Sequence, residues 1–155
     1  MKQLTLACTA ALCAGLCAVG SANAQDVIEC YQDPKSVQAI AEPFEDSFRN
    51  FANGNITVVF IDTIEPAVIP FHLVIMHPPR QEPFNERLCH SVGPFSGLDF
   101  DNLNASYDPN RGLTLHAPVQ LYNSVTDGFD DVTADITINQ ATGVVELALS
   151  SSVSF

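Results

Sequence analysis

Four histidines have the widest chemical range in this sequence, because a neutral imidazole can act as a general base or a metal ligand near pH 7. His72 and His77 lie five residues apart in one apolar stretch, so the two-residue period of a strand places them on opposite faces. Only a fold that brings His90 close to His77 would create a metal site. His116 lies on the polar side of an alternating segment. We predict structural or solvated histidines, no metal site and no cofactor.

Aspartates form two groups and offer carboxylates as a second kind of reactive group. Asp99 and Asp101 are two residues apart and are predicted to share one face of a strand. Three more crowd one polar stretch, namely Asp127, Asp130 and Asp131. Clustered carboxylates suit calcium, but neither group has the spacing of a calcium-binding loop. We interpret them as solvated charges and leave calcium binding open.

Signatures of the common enzyme classes are missing from residues 25–155. This segment has no G-x-S-x-G, H-E-x-x-H or G-x-G-x-x-G motif and no phosphate-binding loop. We therefore assign no catalytic residue, and the main hypothesis is a non-catalytic domain that binds a protein or a small ligand. One alternative is a small hydrolase in which His77 or His90 meets an aspartate only after folding. Another is an outer-membrane β-barrel, which the alternating segment ending at Phe155 resembles.

Five cysteines give a simple prediction once the amino-terminal segment is set apart. Three lie within the first 24 residues, which leaves Cys30 and Cys89. A single pair in an exported domain favours one disulfide bond. Closing a loop of this length stabilises the folded chain by about 4 kcal/mol. An oxidising compartment disfavours the alternative, a reactive Cys89 thiol beside His90.

The amino terminus has the pattern of a secretory signal peptide, residues 1–24. Lys2 is followed by a short apolar run from Leu4 to Val19 and by a small-x-small sequence that ends at Ala24. Cleavage before Gln25 would leave a single exported domain, residues 25–155, in the periplasm or outside the cell. No second apolar run reaches about 20 residues, so we expect no transmembrane helix after cleavage.

The charge of the chain limits its partners. Asp and Glu number 18 against 6 Lys and Arg, and the formal net charge is −12. Such a surface repels the phosphates of nucleic acids, so we predict no nucleic-acid partner. With 46% hydrophobic residues the chain is also too apolar to be disordered. An unidentified protein or small ligand is the expected partner, and the oligomeric state is left open.

The carboxyl-terminal third has the clearest structural pattern. Apolar and polar residues alternate three times between residues 113 and 155, which predicts a meander of antiparallel strands. The turn at residues 108–112 precedes it, and residues 140–143 form a second turn with a glycine at the end. A polar loop is expected between Tyr122 and Val132.

The region before the meander is less regular. Residues 56–64 and 68–76 are apolar on both faces, which predicts two central strands with a bulge near Pro70. Residues 89–97 are expected to be irregular, and residues 98–107 form a weak strand prediction.

Apolar residues between 37 and 51 recur with a period near 3.6, which predicts a helix. Asp33 and Pro34 suit its first turn, and Pro43 should kink it. The predicted fold class is α+β, with this kinked amino-terminal helix packed on an antiparallel sheet of about six strands that ends in the meander. The alternative is an all-β sandwich, which requires residues 34–52 to be strand or loop.

Overall fold

The computed structural model describes residues 25–78 and 87–151. The predicted signal peptide lies outside these ranges, as does the terminal Phe155, so both interpretations stay predictions. The described part of the chain is 59% strand, arranged in two antiparallel sheets, and its only helical pieces are single 3-10 turns. The α+β prediction is therefore wrong, because no helix packs on a sheet in that part of the chain.

Ten strands make up the two sheets in the described ranges, five in each. The first sheet contains β1 (Asp26–Glu29), β2 (Phe48–Phe51), β3 (Ile56–Asp62), β4 (Phe71–His77) and β5 (Leu88–Phe95), in the order β1-β5-β4-β3-β2. The second contains β6 (Gly97–Leu98), β7 (Asn104–Asp108), β8 (Gly112–Asn123), β9 (Gly128–Asn139) and β10 (Val144–Ser151). Its order is β10-β9-β8-β6, and β7 pairs with the first half of β8.

One hydrophobic core lies between the two sheets. Leu73 and Ile75 of β4 share it with Leu115 of β8 and Ile136 of β9, and all four are fully buried. Each of these strands alternates, so its odd or even residues enter the core and the others turn away from it. This is the arrangement of the alternative expectation, an all-β sandwich.

The predicted helix over residues 34–52 is replaced by two 3-10 turns, Val37–Ala39 and Phe44–Asp46, followed by β2. Pro43 has no N–H to donate and its ring obstructs the preceding turn, so a continuous helix would lose a hydrogen bond here. The chain instead bonds to β3, with the N–H of Ala41 donating to the carbonyl of Phe60. Val37 is 80% exposed, so the residues spaced by 3.6 do not form one buried stripe.

The two strands predicted to be central are confirmed as β3 and β4, each with a neighbour on both sides. The irregularity expected near Pro70 lies just after it, where the pairing of β4 with β5 shifts between Phe71 and Leu73. The expectation of an irregular segment at residues 89–97 is wrong. Most of that segment is β5, which extends the sheet from β4 to the edge strand β1.

The meander is confirmed in β8, β9 and β10, although β10 is described only to Ser151. The expected polar loop after Tyr122 is much shorter than predicted, because β8 and β9 continue to a turn at residues 124–127. The turn before β8 is also present, with the Arg111 N–H donating to the Asp108 carbonyl.

Cys30 and Cys89 form the disulfide bond that the cysteine count predicts. Cys30 follows β1 and Cys89 lies in β5, and the N–H of Cys30 also donates to the carbonyl of Cys89 at 3.0 Å. The bond therefore fastens an edge strand of the first sheet to its neighbour. The thiol alternative for Cys89 does not apply in this state.

Candidate functional site

The register of the second sheet collects polar side chains on the face turned away from the core. In β8, Leu113 and Leu115 point inward, so Thr114 and His116 point outward. Residues directly opposite each other in an antiparallel pair share a face. His116 is opposite Asp135 of β9.

The short turn before β8 places β7 on the other side of the same histidine. Asn104 is opposite His116, and Ser106 is opposite Thr114. Ser106 is thus a diagonal neighbour of His116 on the outward face, within reach of its imidazole.

Three of these side chains form a hydrogen-bonded series, which we call the Ser106–His116–Asp135 cluster. The Nδ1 atom of His116 is 2.7 Å from Oδ1 of Asp135, and its Nε2 atom is 2.8 Å from Oγ of Ser106. The side chains of His116 and Asp135 are about one-third exposed, at 33% and 32%, and Ser106 is exposed. A fourth side chain, Ser150 of β10, donates from its hydroxyl to Oδ2 of Asp135 at 3.4 Å.

The partners of the imidazole fix the direction of its hydrogen bonds. A carboxylate only accepts, so Nδ1 of His116 carries the proton that it donates to Asp135. In the neutral ring Nε2 then has a lone pair, which accepts the proton of the Ser106 hydroxyl. A nucleophile next to a base, with the base oriented by a carboxylate, is the arrangement that activates serine in unrelated hydrolases.

The cluster opens into a cleft of about 1120 Å³. The cleft is bounded by β7 to β10 and by the start of the described chain, and its lining includes Gln25, Asp26, Asp108, Arg111, Thr114, Thr137, Glu146 and Ala148. A second cross-strand hydrogen bond on its floor joins the hydroxyls of Thr114 and Thr137 at 3.0 Å. The lining of the cleft is mostly polar, and cross-strand hydrogen bonds hold several of its polar side chains in fixed positions.

His77 and His90 come together in the first sheet. Their rings are stacked, and Nε2 of His77 lies 3.2 Å from Nδ1 of His90. Burial lowers the pKa of His77, and the neighbouring His90 lowers it further; burial also lowers the pKa of His90. The proximity that the sequence analysis required for a metal site is present. However, no group of three or more His, Cys, Asp or Glu in the described ranges is suited to a metal ion.

His72 is 8% exposed and lies apart from the other histidines. Burial, and to a smaller extent the Lys35 ammonium group, lowers the pKa of His72 to about 4. A histidine in this state is neutral at physiological pH. We interpret His72 as a structural histidine of the first sheet.

The predicted aspartate groups do not form shared sites. Asp99 and Asp101 lie in the loop between β6 and β7, so the expectation that they share a strand face is wrong. Asp99 accepts hydrogen bonds from the backbone and side chain of Asn102, whereas Asp101 pairs with Arg49 at 3.3 Å.

The second aspartate group is divided between the turn and β9. Asp127 accepts the hydroxyl hydrogen of Tyr122 at 2.7 Å, which raises the pKa of that tyrosine. Asp130 accepts from Asn123 at 2.9 Å. These carboxylates accept hydrogen bonds from side chains of β8 and do not converge on a common site.

Sequence reasoning placed His116 correctly on a polar face but did not find its partners. The hydrolase alternative named His77 and His90, whereas the histidine that meets an aspartate is His116. Its partners, Ser106 and Asp135, lie 10 and 19 residues away. The sequence signal for these contacts lay in the β7–β8 and β8–β9 hairpins, because the register set at each turn determines which residues lie opposite each other.

In residues 25–78 and 87–151, no helix has the length and apolarity needed to cross a bilayer. Comparison of the chain with protein-family models, with curated proteins and with solved structures gives no match.

Proposed function

We propose that this chain is an exported protein that binds a small neutral or positively charged ligand in the cleft on the outer face of its second sheet. The observation that carries the proposal is the convergence of Ser106, His116 and Asp135 on that cleft. A hydroxyl, an imidazole and a carboxylate are hydrogen-bonded in series there and remain accessible to solvent. Such a set can donate to and accept from a polar ligand.

Export is supported by two independent features. The bond between Cys30 and Cys89 is of a kind that persists in oxidising compartments. The pattern of residues 1–24 is that of a cleaved secretory signal.

The charge of the cleft favours one class of ligand. Four carboxylates contribute to its lining, those of Asp26, Asp108, Asp135 and Glu146, against the single guanidinium group of Arg111. A concave surface with an excess of negative charge attracts cations and repels anions. The expected ligand is therefore neutral or cationic, and small enough for a cleft of about 1120 Å³.

Charge reversal at Glu146 tests this proposal. We expect Glu146→Lys to weaken binding of a cationic ligand about tenfold, because a charge change of two units near the ligand alters its Coulomb energy by on the order of 1 kcal/mol. The measurement is calorimetric titration of the purified chain with choline as the cationic probe, N-acetylglucosamine as the neutral probe and succinate as the anionic probe.

Glu45→Lys is the matched control. Glu45 is exposed and belongs to the 3-10 turn Phe44–Asp46, outside the cleft, and its reversal changes the net charge equally. It should leave choline binding nearly unchanged. The proposal fails if none of the three probes binds, or if the two reversals weaken binding to the same extent.

A further inference from the structure

The Ser106–His116–Asp135 cluster has more than the geometry of a polar patch. Each end of one imidazole has a different partner, a carboxylate at Nδ1 and a hydroxyl at Nε2, at 2.7 and 2.8 Å. The other cross-strand bonds on this sheet, such as that between Gln120 and Asp131 at 2.9 Å, join two side chains without a titratable base between them. The cluster alone places a base next to an exposed hydroxyl inside a cleft, among the residues the structure describes.

Resting on the ligand-binding cleft proposed above, we propose that Ser106 is a nucleophile and that the chain hydrolyses small neutral or cationic carboxylic esters. The Oγ atom of Ser106 forms a bond to the carbonyl carbon of the ester while its proton passes to Nε2 of His116. Asp135, bonded to Nδ1, stabilises the imidazolium ion that results. The ester carbonyl becomes the oxyanion of a tetrahedral intermediate.

The remaining steps return the cluster to its first state. The intermediate collapses, the bond to the alcohol oxygen breaks, and the alcohol leaves with the proton from Nε2. Ser106 now carries the acyl group as an ester. Water attacks that carbonyl while His116 accepts one of its protons, and collapse releases the carboxylic acid as Ser106 regains its proton. Water is the only co-reactant, so no oxidant or reductant is needed.

The position of Ser106 fits this role. It is exposed on β7, whose five residues are all exposed, so an ester carbonyl can approach the hydroxyl without moving the core. The carboxylates of Asp26, Asp108 and Glu146 on the cleft lining favour an ester whose alcohol carries a positive charge over one with an anionic group.

The test begins with covalent labelling of the purified full chain by a fluorophosphonate, which reacts with activated serines. We expect a single adduct, located on Ser106 by peptide mass spectrometry, and its loss in Ser106→Ala and His116→Gln. Ser124→Ala is the matched control, because Ser124 is exposed in the turn between β8 and β9 and does not line the cleft. It should be labelled as the wild type is.

Turnover is then measured with three thioesters followed by free-thiol release: acetylthiocholine, a neutral acetyl thioester and an anionic succinyl thioester. We expect acetylthiocholine to be the best substrate, and Ser106→Ala and His116→Gln to lower kcat/KM about 100-fold or more. Asp135→Asn should lower kcat more than it raises KM, since it acts through His116. Thermal unfolding of each variant near the wild-type temperature shows that the loss is not one of folding.

The outcomes separate this inference from the binding function. If choline binds but no serine is labelled and no thioester is cleaved, Ser106 is not a nucleophile and the binding cleft stands. Labelling at another serine, or full activity in Ser106→Ala, also overturns the inference. If no probe binds and none is cleaved, both proposals fail.

Discussion

The four histidines occupy three different environments, and only one of them gives the imidazole the partners of a general base. His72 is buried without a neighbouring histidine, whereas His77 and His90 stack on each other in the first sheet. His116 faces the cleft with a carboxylate on one side and a hydroxyl on the other. Burial disfavours the imidazolium form of the first three, so they make folding sensitive to acid.

We expect the free energy of unfolding to fall as the pH is lowered from about 7.5 to about 5, with His72 contributing about 2 kcal/mol. The folded-state pKa of His72 is about 4 and its ordinary value is 6.5. The unfolded chain therefore takes up a proton that the folded chain does not. This contribution to stability is complete above pH 6.5 and is lost as the pH falls towards 4. Urea unfolding at several pH values measures it.

Two variants assign the effect to His72. His72→Gln should remove about 2 kcal/mol of the pH dependence. Lys35→Met should retain most of it, because burial is a larger cause of the shift than the Lys35 charge. Equal pH dependence in His72→Gln and the wild type would contradict the assignment.

The β7–β8 hairpin is the element that brings Ser106 to His116. Its turn ends at Gly112, whose φ is +107°. A Cβ atom at this position would overlap the backbone carbonyl oxygen of Ile138 in β9. Glycine therefore lets the turn reverse the chain while β8 stays close to β9.

We expect Gly112→Ala to lower the free energy of unfolding by about 2–4 kcal/mol, from the combined effect of a positive φ and steric overlap with backbone. Chemical denaturation measures the loss. Gly128→Ala is the control, since the nearest atom to its added Cβ would be Oγ1 of Thr126 at 3.4 Å. It should change stability by less than about 1 kcal/mol. A similar loss in both variants would show that the close approach to Ile138 is unimportant.

The elements differ in how far their sequence determines them. The alternation in β8 and β9 could be read directly, because each has one face in the core and one outside it. The helical period over residues 37–51 was misleading. Pro43 disfavours a continuous helix, and Ile40 and Ala41 instead pair with the backbone of β3. Period alone does not show whether the apolar residues it selects are buried together.

The Ser106–His116–Asp135 cluster could be predicted only in part, because the pattern within one strand does not determine how that strand pairs with its neighbours. Outward placement of His116 follows from alternation within its own strand. Contact with Asp135 and Ser106 depends on two registers, and a shift of one residue in either would turn the partner to the opposite face. Contacts within a strand are local, whereas pairing between strands is set by turns and by the fit of the whole core.

Considered as a whole, the molecule joins two sheets through one core and fastens the edge of the first sheet with a disulfide bond. Because this bond closes a loop across 59 positions, it removes many conformations from the unfolded chain. The stability of the sandwich should therefore depend on the compartment in which it folds.

We expect a chain expressed without residues 1–24 to remain in the reducing cytoplasm with Cys30 and Cys89 as thiols. Its free energy of unfolding should be about 2–4 kcal/mol below that of the exported chain. Alkylation followed by mass spectrometry counts the thiols, and urea unfolding gives the difference. The exported Cys30→Ser, Cys89→Ser double variant should match the cytoplasmic form. An exported chain that retains residues 1–24, or that has both thiols free, would contradict this expectation.

Within residues 25–78 and 87–151, the strand that carries Ser106 pairs on one side only, with β8, and all five of its residues are exposed. Such a strand can detach in brief, local openings that need far less free energy than unfolding of the sandwich. During each opening the hydroxyl leaves, while His116 and Asp135 stay paired on the inner strands. Fraying of this outer strand would therefore separate Ser106 from His116 while the rest of the molecule is still folded, and warming or mild denaturant would increase the time spent in the open state.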